Sequence, residues 1–139
     1  EGAPLLRFRT HDLSRIILGE CSCGSKYPRL GIIQGRSDDM FKIHGVNMFP
    51  SQIEGILGMV DGVGSEYRII LARDADTHKD VLHITAEAEG RVDFAETART
   101  IAKLAKSKLG VTPHVAIAPV GTLARCEKKT RRVEDQRDQ

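Results

Sequence analysis

The run Gly35-Arg36-Ser37-Asp38-Asp39-Met40-Phe41-Lys42-Ile43-His44-Gly45-Val46-Asn47-Met48-Phe49-Pro50, continuing into Ser51-Gln52-Ile53-Glu54, decides how this 139-residue chain is divided. Ser37-Asp38-Asp39 makes a polar turn, because short polar side chains bond nearby backbone groups and compete with regular structure. Met40 to Ile43 reads as a strand, and Gly45 breaks it. Pro50 opens a helix. Ser51 is placed to cap it, with Glu54 completing a capping box that contributes about 1 kcal/mol. Ile53, Ile56, Leu57 and Val60 fall at i, i+3, i+4 and i+7, which gives the helix one apolar face.

Downstream the pattern is regular. Asp61-Gly62-Val63-Gly64 ends the helix. Tyr67 to Ala72 and Val81 to Ala86 are rich in β-formers and predict a hairpin across Asp74-Ala75-Asp76-Thr77-His78. Asp93-Phe94-Ala95-Glu96 is a second capping box. The stripe Phe94, Ala98, Ile101, Ala105 and Leu109 follows it, with Gly110 as the stop. Lys103, Lys106 and Lys108 near that end suit the helix dipole. Val115 to Ala118 is a last strand. The expected fold is α+β: a βαββαβ order with two helices covering one face of a small, mostly antiparallel sheet. The chain is charged and turn-rich from Glu127, so residues 130–139 are expected to be loose unless they dock.

Upstream the pattern is incomplete. Leu5 to Thr10 and Ser14 to Leu18 read as short strands, and Gly19 to Ser25 reads as a turn. Two strands and a loop cannot close a core. The expected division is therefore 1–37, which needs a partner, and 38–139, which forms its own unit. The opening Glu1-Gly2-Ala3-Pro4 has neither an initiator Met nor a signal pattern, and reads as the interior of a longer chain.

Composition narrows the function classes. A net charge of +2 is too near balance to argue for nucleic acid or membranes, and neither is expected as a partner. No apolar run reaches the roughly 18–20 residues of a membrane span. Trp is absent and aromatics make up 4% of the chain, too few for base-stacking platforms. Three cysteines suit a reducing compartment better than a disulfide scaffold, so the expected location is cytoplasmic. There is no G-x-x-x-x-G-K-[ST] loop, and Gly62-Val63-Gly64 lacks the third glycine of a dinucleotide loop. Cys21-Ser22-Cys23-Gly24 is at most half a zinc site. His11 and Cys126 are the obvious further ligands, and neither has zinc-site spacing, so a plain turn is favoured and no metal is expected; ligands supplied to Cys21 and Cys23 from outside this chain stay open as the alternative.

The sixteen-residue run from Gly35 to Pro50 resembles the hinge motif of the adenylate-forming superfamily, and is most similar to phenylacetate-CoA ligases. There the chain reads much like Gly-Arg-Ser-Asp-Asp-Met, Gly-Val-Asn and Phe-Pro-Ser-Gln-Ile-Glu. Upstream, Arg7-Phe8-Arg9-Thr10-His11-Asp12 resembles the family's Tyr-Arg-Thr-x-Asp motif. Downstream, Gly121 to Val133 resembles its terminal Pro-Arg-x-x-Gly-Lys-x-x-Arg motif, and Gly64-Ser65-Glu66-Tyr67 also fits. Order and spacing agree over nearly the whole chain. The terminal motif departs in three places: Ala124 stands for a usual Pro, Cys126 for a Ser and Lys128 for a Gly.

The resemblance implies roles residue by residue. Asp12 would accept hydrogen bonds from the ribose hydroxyls of ATP, as an acceptor-only carboxylate can. Arg36 would lie near the ribose and phosphates. Asp38 would be the hinge residue, with Asp39 its neighbour in the motif. Lys129 would stabilise charge on the carboxylate and α-phosphate during adenylation, with Lys128 as its rival. Gly45 would line the coenzyme A path, with His44 beside it. It further implies ATP, as its magnesium complex, coenzyme A and an aromatic carboxylic acid as substrates, and no tightly bound cofactor. The partner for residues 1–37 would be a large N-terminal lobe; a homodimer is left open. The implied reaction is phenylacetate, ATP and coenzyme A to phenylacetyl-CoA, AMP and pyrophosphate, with this chain inactive alone. Two other readings stay open: an adenylating enzyme that loads a carrier protein, and a non-catalytic ferredoxin-like binding module.

Overall fold

The structure, a computed structural model, describes residues 6–125 and 132–137. Four two-residue strands come first: β1 (Asp12–Leu13), β2 (Ile16–Ile17), β3 (Arg29–Leu30) and β4 (Gly35–Arg36). β1 pairs with β4, and β2 with β3, all antiparallel. No strand forms over residues 6–10. Arg7 and His11 take positive φ values of 55° and 64°, which interrupts the extended run expected there. This segment carries large exposed apolar side chains, among them Leu6, Phe8, Ile16, Leu18, Tyr27 and Ile32. Among the described residues up to Ser37, none is buried.

β5 (Phe41–Ile43) and β6 (Val46–Met48) form a tight hairpin. Its two turn residues, His44 and Gly45, both have positive φ, 47° and 80°. That combination matches the right-handed twist of a two-residue hairpin, and glycine adopts it without steric cost. The expected strand at Met40 to Ile43 is therefore present, but it pairs with β6 instead of joining the main sheet.

Helix α1 (Pro50–Leu57) follows. Its start differs from the Ser51/Glu54 box. Pro50 takes the first helical position, where its fixed φ fits and its missing N–H is not needed. The cap thereby moves back to Phe49, whose N–H donates to Gln52 Oε1 at 2.9 Å. Phe49 has no side-chain acceptor, so only this half of a box forms. The Ser51 hydroxyl instead donates to the Gln34 carbonyl at 2.6 Å. Ile53, Ile56 and Leu57 are buried and Val60 packs against them, as the spacing predicts.

β7 (Val63–Arg73) and β8 (Asp80–Ala88) form the expected hairpin, longer than predicted at both ends. Asp74 organises its turn, with Oδ1 accepting from the Thr77 N–H at 2.7 Å and the Thr77 hydroxyl at 2.8 Å. α2 (Phe94–Leu109) is capped by Asp93, whose Oδ1 accepts from the N–H groups of Ala95 and Glu96. It ends at left-handed Gly110. Glu96 bonds Arg99 instead of closing the box. The buried stripe is centred on Thr97, Ile101 and Ala105.

α2 returns the chain to β9 (His114–Pro119), parallel to β8, and β10 (Val133–Asp135) lies parallel to β7. The sheet order is β10-β7-β8-β9. The sheet is thus not mostly antiparallel: only β7–β8 is. A strand–helix–strand crossover delivers the second strand in the same direction, as the α2 crossover does for β9. Tyr67, Ile69 and Leu71 of β7 and Leu82, Ile84 and Ala86 of β8 turn one face inward, where Ile53, Ile56, Ile101 and Ala105 of both helices complete the core. β10 shows that part of the charged tail does dock. Arg137 fastens it, donating from Nη1 to the Lys42 carbonyl and to Asp80 Oδ2, both at 2.8 Å, while its other donors hold Asp135.

Candidate functional site

The β1–β4 ladder sets Asp12 opposite Arg36, although they are far apart in sequence. The polar turn after β4 then brings Asp38 back onto Arg36. Arg36 Nε donates to Asp38 Oδ1 at 3.0 Å and Nη2 to Oδ2 at 2.7 Å, a bidentate pair, with Asp39 at 3.9 Å. Hydrogen bonding to Arg36 holds the Asp38 carboxyl below its ordinary range, and Asp38 in turn raises the Arg36 guanidinium. Both side chains remain nearly half exposed, at 44% and 47%, so water screens the pair and it adds little to stability. A guanidinium has five N–H donors. Asp38 takes two of them, and three remain for an anionic ligand.

These residues line a cleft of about 710 Å3 between the β1–β4 ladder and the start of the main unit. Its other wall carries Glu54, Tyr67, Arg132 and Asp135. Tyr67 is buried at the end of its inward-facing row and donates from its hydroxyl to the Pro50 carbonyl at 3.3 Å. Burial, aided by the charge of Glu54, pushes the Tyr67 phenol up. The Arg132 guanidinium lies 4.4 Å over the Tyr67 ring, a cation–π contact, and Nη1 donates to the Ser65 carbonyl at 2.9 Å. The cleft thus combines two guanidiniums, five carboxylates and the rings of Phe41 and Tyr67; its carboxylates suit hydroxyl donors, and its guanidiniums are the places where an anionic group could be held.

Of the residues expected from sequence, Asp12, Arg36, Asp38 and Asp39 come together here. Gly45 and His44 do not. They form the tip of the β5–β6 hairpin, where His44 Nε2 lies 2.6 Å from the Asp80 carbonyl oxygen. A Cβ added at Gly45 would meet nothing within 4 Å, so its glycine is required by the turn and not by crowding inside this chain. Lys128 and Lys129 lie outside the described residues, between Arg125 and Arg132. Cys21 and Cys23 sit in a tight turn closed by the Gly24 N–H on the Cys21 carbonyl at 2.8 Å. Cys126 is outside the described residues, and no group of three metal-ligating side chains gathers among those described. Also among them, no helix is long and apolar enough to cross a membrane.

Sequence reasoning assigned no role to Tyr67 or Arg132, although Arg132 stood within the quoted terminal motif. The register that sets β10 beside β7 brings the two together, and that pairing has no local signal.

Residues 45–137 match the model of the AMP-binding enzyme C-terminal domain. The phenylacetate-coenzyme A ligase of Thermus thermophilus is 33% identical over 99% of this chain and 35% of its own length. A solved domain of phenylacetate-coenzyme A ligase from Bacteroides vulgatus is 34% identical over 72% of this chain and 94% of that one, with a TM-score of 0.61. A 2-hydroxyisobutyryl-CoA ligase, 33% identical over 97% of this chain, superposes with a TM-score of 0.79 in its postadenylation state with 2-HIB-AMP. In its thioesterification state with 2-HIB-AMP and CoA the score is 0.65. The chain spans about a third of the length of the curated relatives it matches. The resemblance to phenylacetate-CoA ligases read from the motifs is borne out, and the chain belongs to the AMP-binding enzyme C-terminal domain family.

Proposed function

We propose that this chain supplies the mobile C-terminal lobe (38–139), with the last strands of a larger lobe (1–37), of an ATP-dependent acyl-CoA ligase acting on phenylacetate. The observation that carries the reading is the cleft at the junction, where Asp12, Arg36 and Asp38 meet although they come from two segments.

In the first half-reaction a carboxylate oxygen attacks the α-phosphorus of ATP, and pyrophosphate leaves. Asp12 accepts from the ribose hydroxyls. Arg36 offers the donors that Asp38 leaves free, and Lys129 offsets the charge that builds on the reacting oxygens. In the second, the thiolate of coenzyme A, its proton already lost to solvent, attacks the acyl carbon and AMP leaves with the bonding pair. Between the two the lobe turns about Asp38, withdrawing Lys129 and presenting the hairpin tip with His44 and Gly45. Support for the rotation comes from the unequal fit of the chain to two states of one relative over the same 97% of its residues. The exposed apolar side chains of residues 6–33 support a further lobe as their cover.

Mixing the full-length enzyme with phenylacetate, ATP and either free coenzyme A or an acyl carrier protein tests this reading. AMP and phenylacetyl-CoA should appear in equal amounts with free coenzyme A. AMP release that depends on the carrier protein, or no AMP with any aromatic acid, would contradict it.

A further inference from the structure

Glu87 is 4% exposed and stands outside the inward-facing row of β8, which runs through Leu82, Ile84 and Ala86. A carboxylate so removed from water is stable only if its oxygens are bonded. The partner is the turn after β9. The Leu123 N–H donates to Glu87 Oε1 at 2.6 Å. Backbone hydrogen bonding from this turn, Gly121 the largest cause and Leu123 the next, holds the Glu87 carboxyl below its ordinary range, and the charge of Arg125 adds to this; the Thr122 N–H itself donates to the Pro119 carbonyl at 3.2 Å. The turn is shaped for the purpose. Gly121 has a φ of 89°, and Thr122 bonds back to the Pro119 carbonyl through its hydroxyl at 2.7 Å. Left-handed Gly121 and the Thr122 bonds to Pro119 turn the chain so that the Leu123 N–H meets the carboxylate.

The far side of the same segment is also tied down. Arg132 donates to the Ser65 carbonyl and lies over Tyr67. Ser65 lies in the irregular part of the β7–β8 ladder, between Val63 and Tyr67, where the register shifts. Gly64 there packs against the Glu87 backbone, where an added Cβ would lie in ordinary contact, 3.4 Å from its carbonyl oxygen. Leu123 on one side and Arg132 on the other are therefore each fastened at the same end of the sheet.

We propose that Glu87 is a positioning residue for adenylation: by binding the 121–123 turn it fixes the point from which the chain departs toward Lys129. This rests on the ligase reading above. A long side chain reaching a developing charge is sensitive to the placement of its base, and about 1 Å of misplacement can cost on the order of 100-fold in rate.

The test uses the full-length enzyme with Glu87→Ala and Glu87→Gln. Gln keeps the shape and one acceptor oxygen and guards against loss of fold. Phenylacetate-dependent pyrophosphate exchange should fall about 100-fold in Glu87→Ala and about 10-fold in Glu87→Gln. Thioester formation from supplied phenylacetyl-adenylate should stay within about twofold in Glu87→Gln. Equal loss in both half-reactions, or no loss in either, overturns the proposal. Amide exchange at Leu123, measured without substrates, should be faster in both variants, and exchange at the wild-type rate also overturns it. An enzyme that fails to exchange pyrophosphate even as wild type defeats the ligase reading alone, because amide exchange at Leu123 still decides the anchoring.

Discussion

Arg36 grips Asp38 two residues away through both Nε and Nη2, at 3.0 and 2.7 Å, so the proposed hinge is bridged by its own ion pair. The pair is exposed and weak enough to open, yet it defines one arrangement of the backbone between the β1–β4 ladder and the hairpin. A hinge of this kind should depend on backbone freedom more than on the carboxylate. Asp38→Ala removes only the pair, and both half-reactions of the full-length enzyme should stay within about 10-fold of wild type. Asp38→Pro also fixes φ near −65° and restricts Ser37. It should hold the lobe in one arrangement and depress one half-reaction at least about 100-fold while sparing the other. Rapid-quench assays of each half-reaction check this, and equal behaviour of the two variants would remove Asp38 from the hinge.

Stability should be dominated by the α2 face. Ile101 is fully buried against the sheet, and Ile101→Ala should lower unfolding free energy by about 3 kcal/mol. Asp93 only caps the same helix, and Asp93→Ala should cost about 1 kcal/mol. Urea unfolding compares them directly, and a reversed order would contradict the placement of the core.

The docked tail has its own signature. Arg137, whose side chain is 18% exposed, joins β10 to Asp80 and to the Lys42 carbonyl. Arg137→Ala should cost about 2 kcal/mol and speed amide exchange at Glu134 and Asp135. Arg137→Lys should recover little, because a point ammonium cannot serve three separated acceptors. Exchange that is unchanged in Arg137→Ala would show that the strand pairing alone holds β10.

Much of this was readable before the fold was seen, wherever a local period or cap carried the information. The faces of α1 and α2, the Asp93 cap, the Gly110 stop and the Asp74 turn are all short-range effects. The failures have physical causes too. Ser51 resembled a cap, but Pro50 claimed the first helical position and freed its hydroxyl for Gln34. Strand direction depends on which strands become neighbours, and no residue in Val115 to Ala118 encodes that. The fold brings Asp12, Arg36 and Asp38 to one cleft, and these were named through motif resemblance. The Arg132–Tyr67 stack and the buried Glu87 were not, because each depends on tertiary register: in the alternation of β8, Glu87 looks like an outward polar residue. His44 and Gly45 were singled out together, yet both-positive φ in a two-residue turn explains them locally.

The central claim is that one lobe presents different faces to two reactions, and the most direct measurement is the pair of half-reactions in two variants of the full-length enzyme. Lys129→Ala should lower phenylacetate-dependent pyrophosphate exchange by about 100-fold and leave thioester formation from supplied phenylacetyl-adenylate near wild type. Gly45→Asn adds bulk at the hairpin tip while tolerating its left-handed backbone, and should do the reverse. Depression of the same half-reaction by both variants, or of both half-reactions equally by either, would contradict the account.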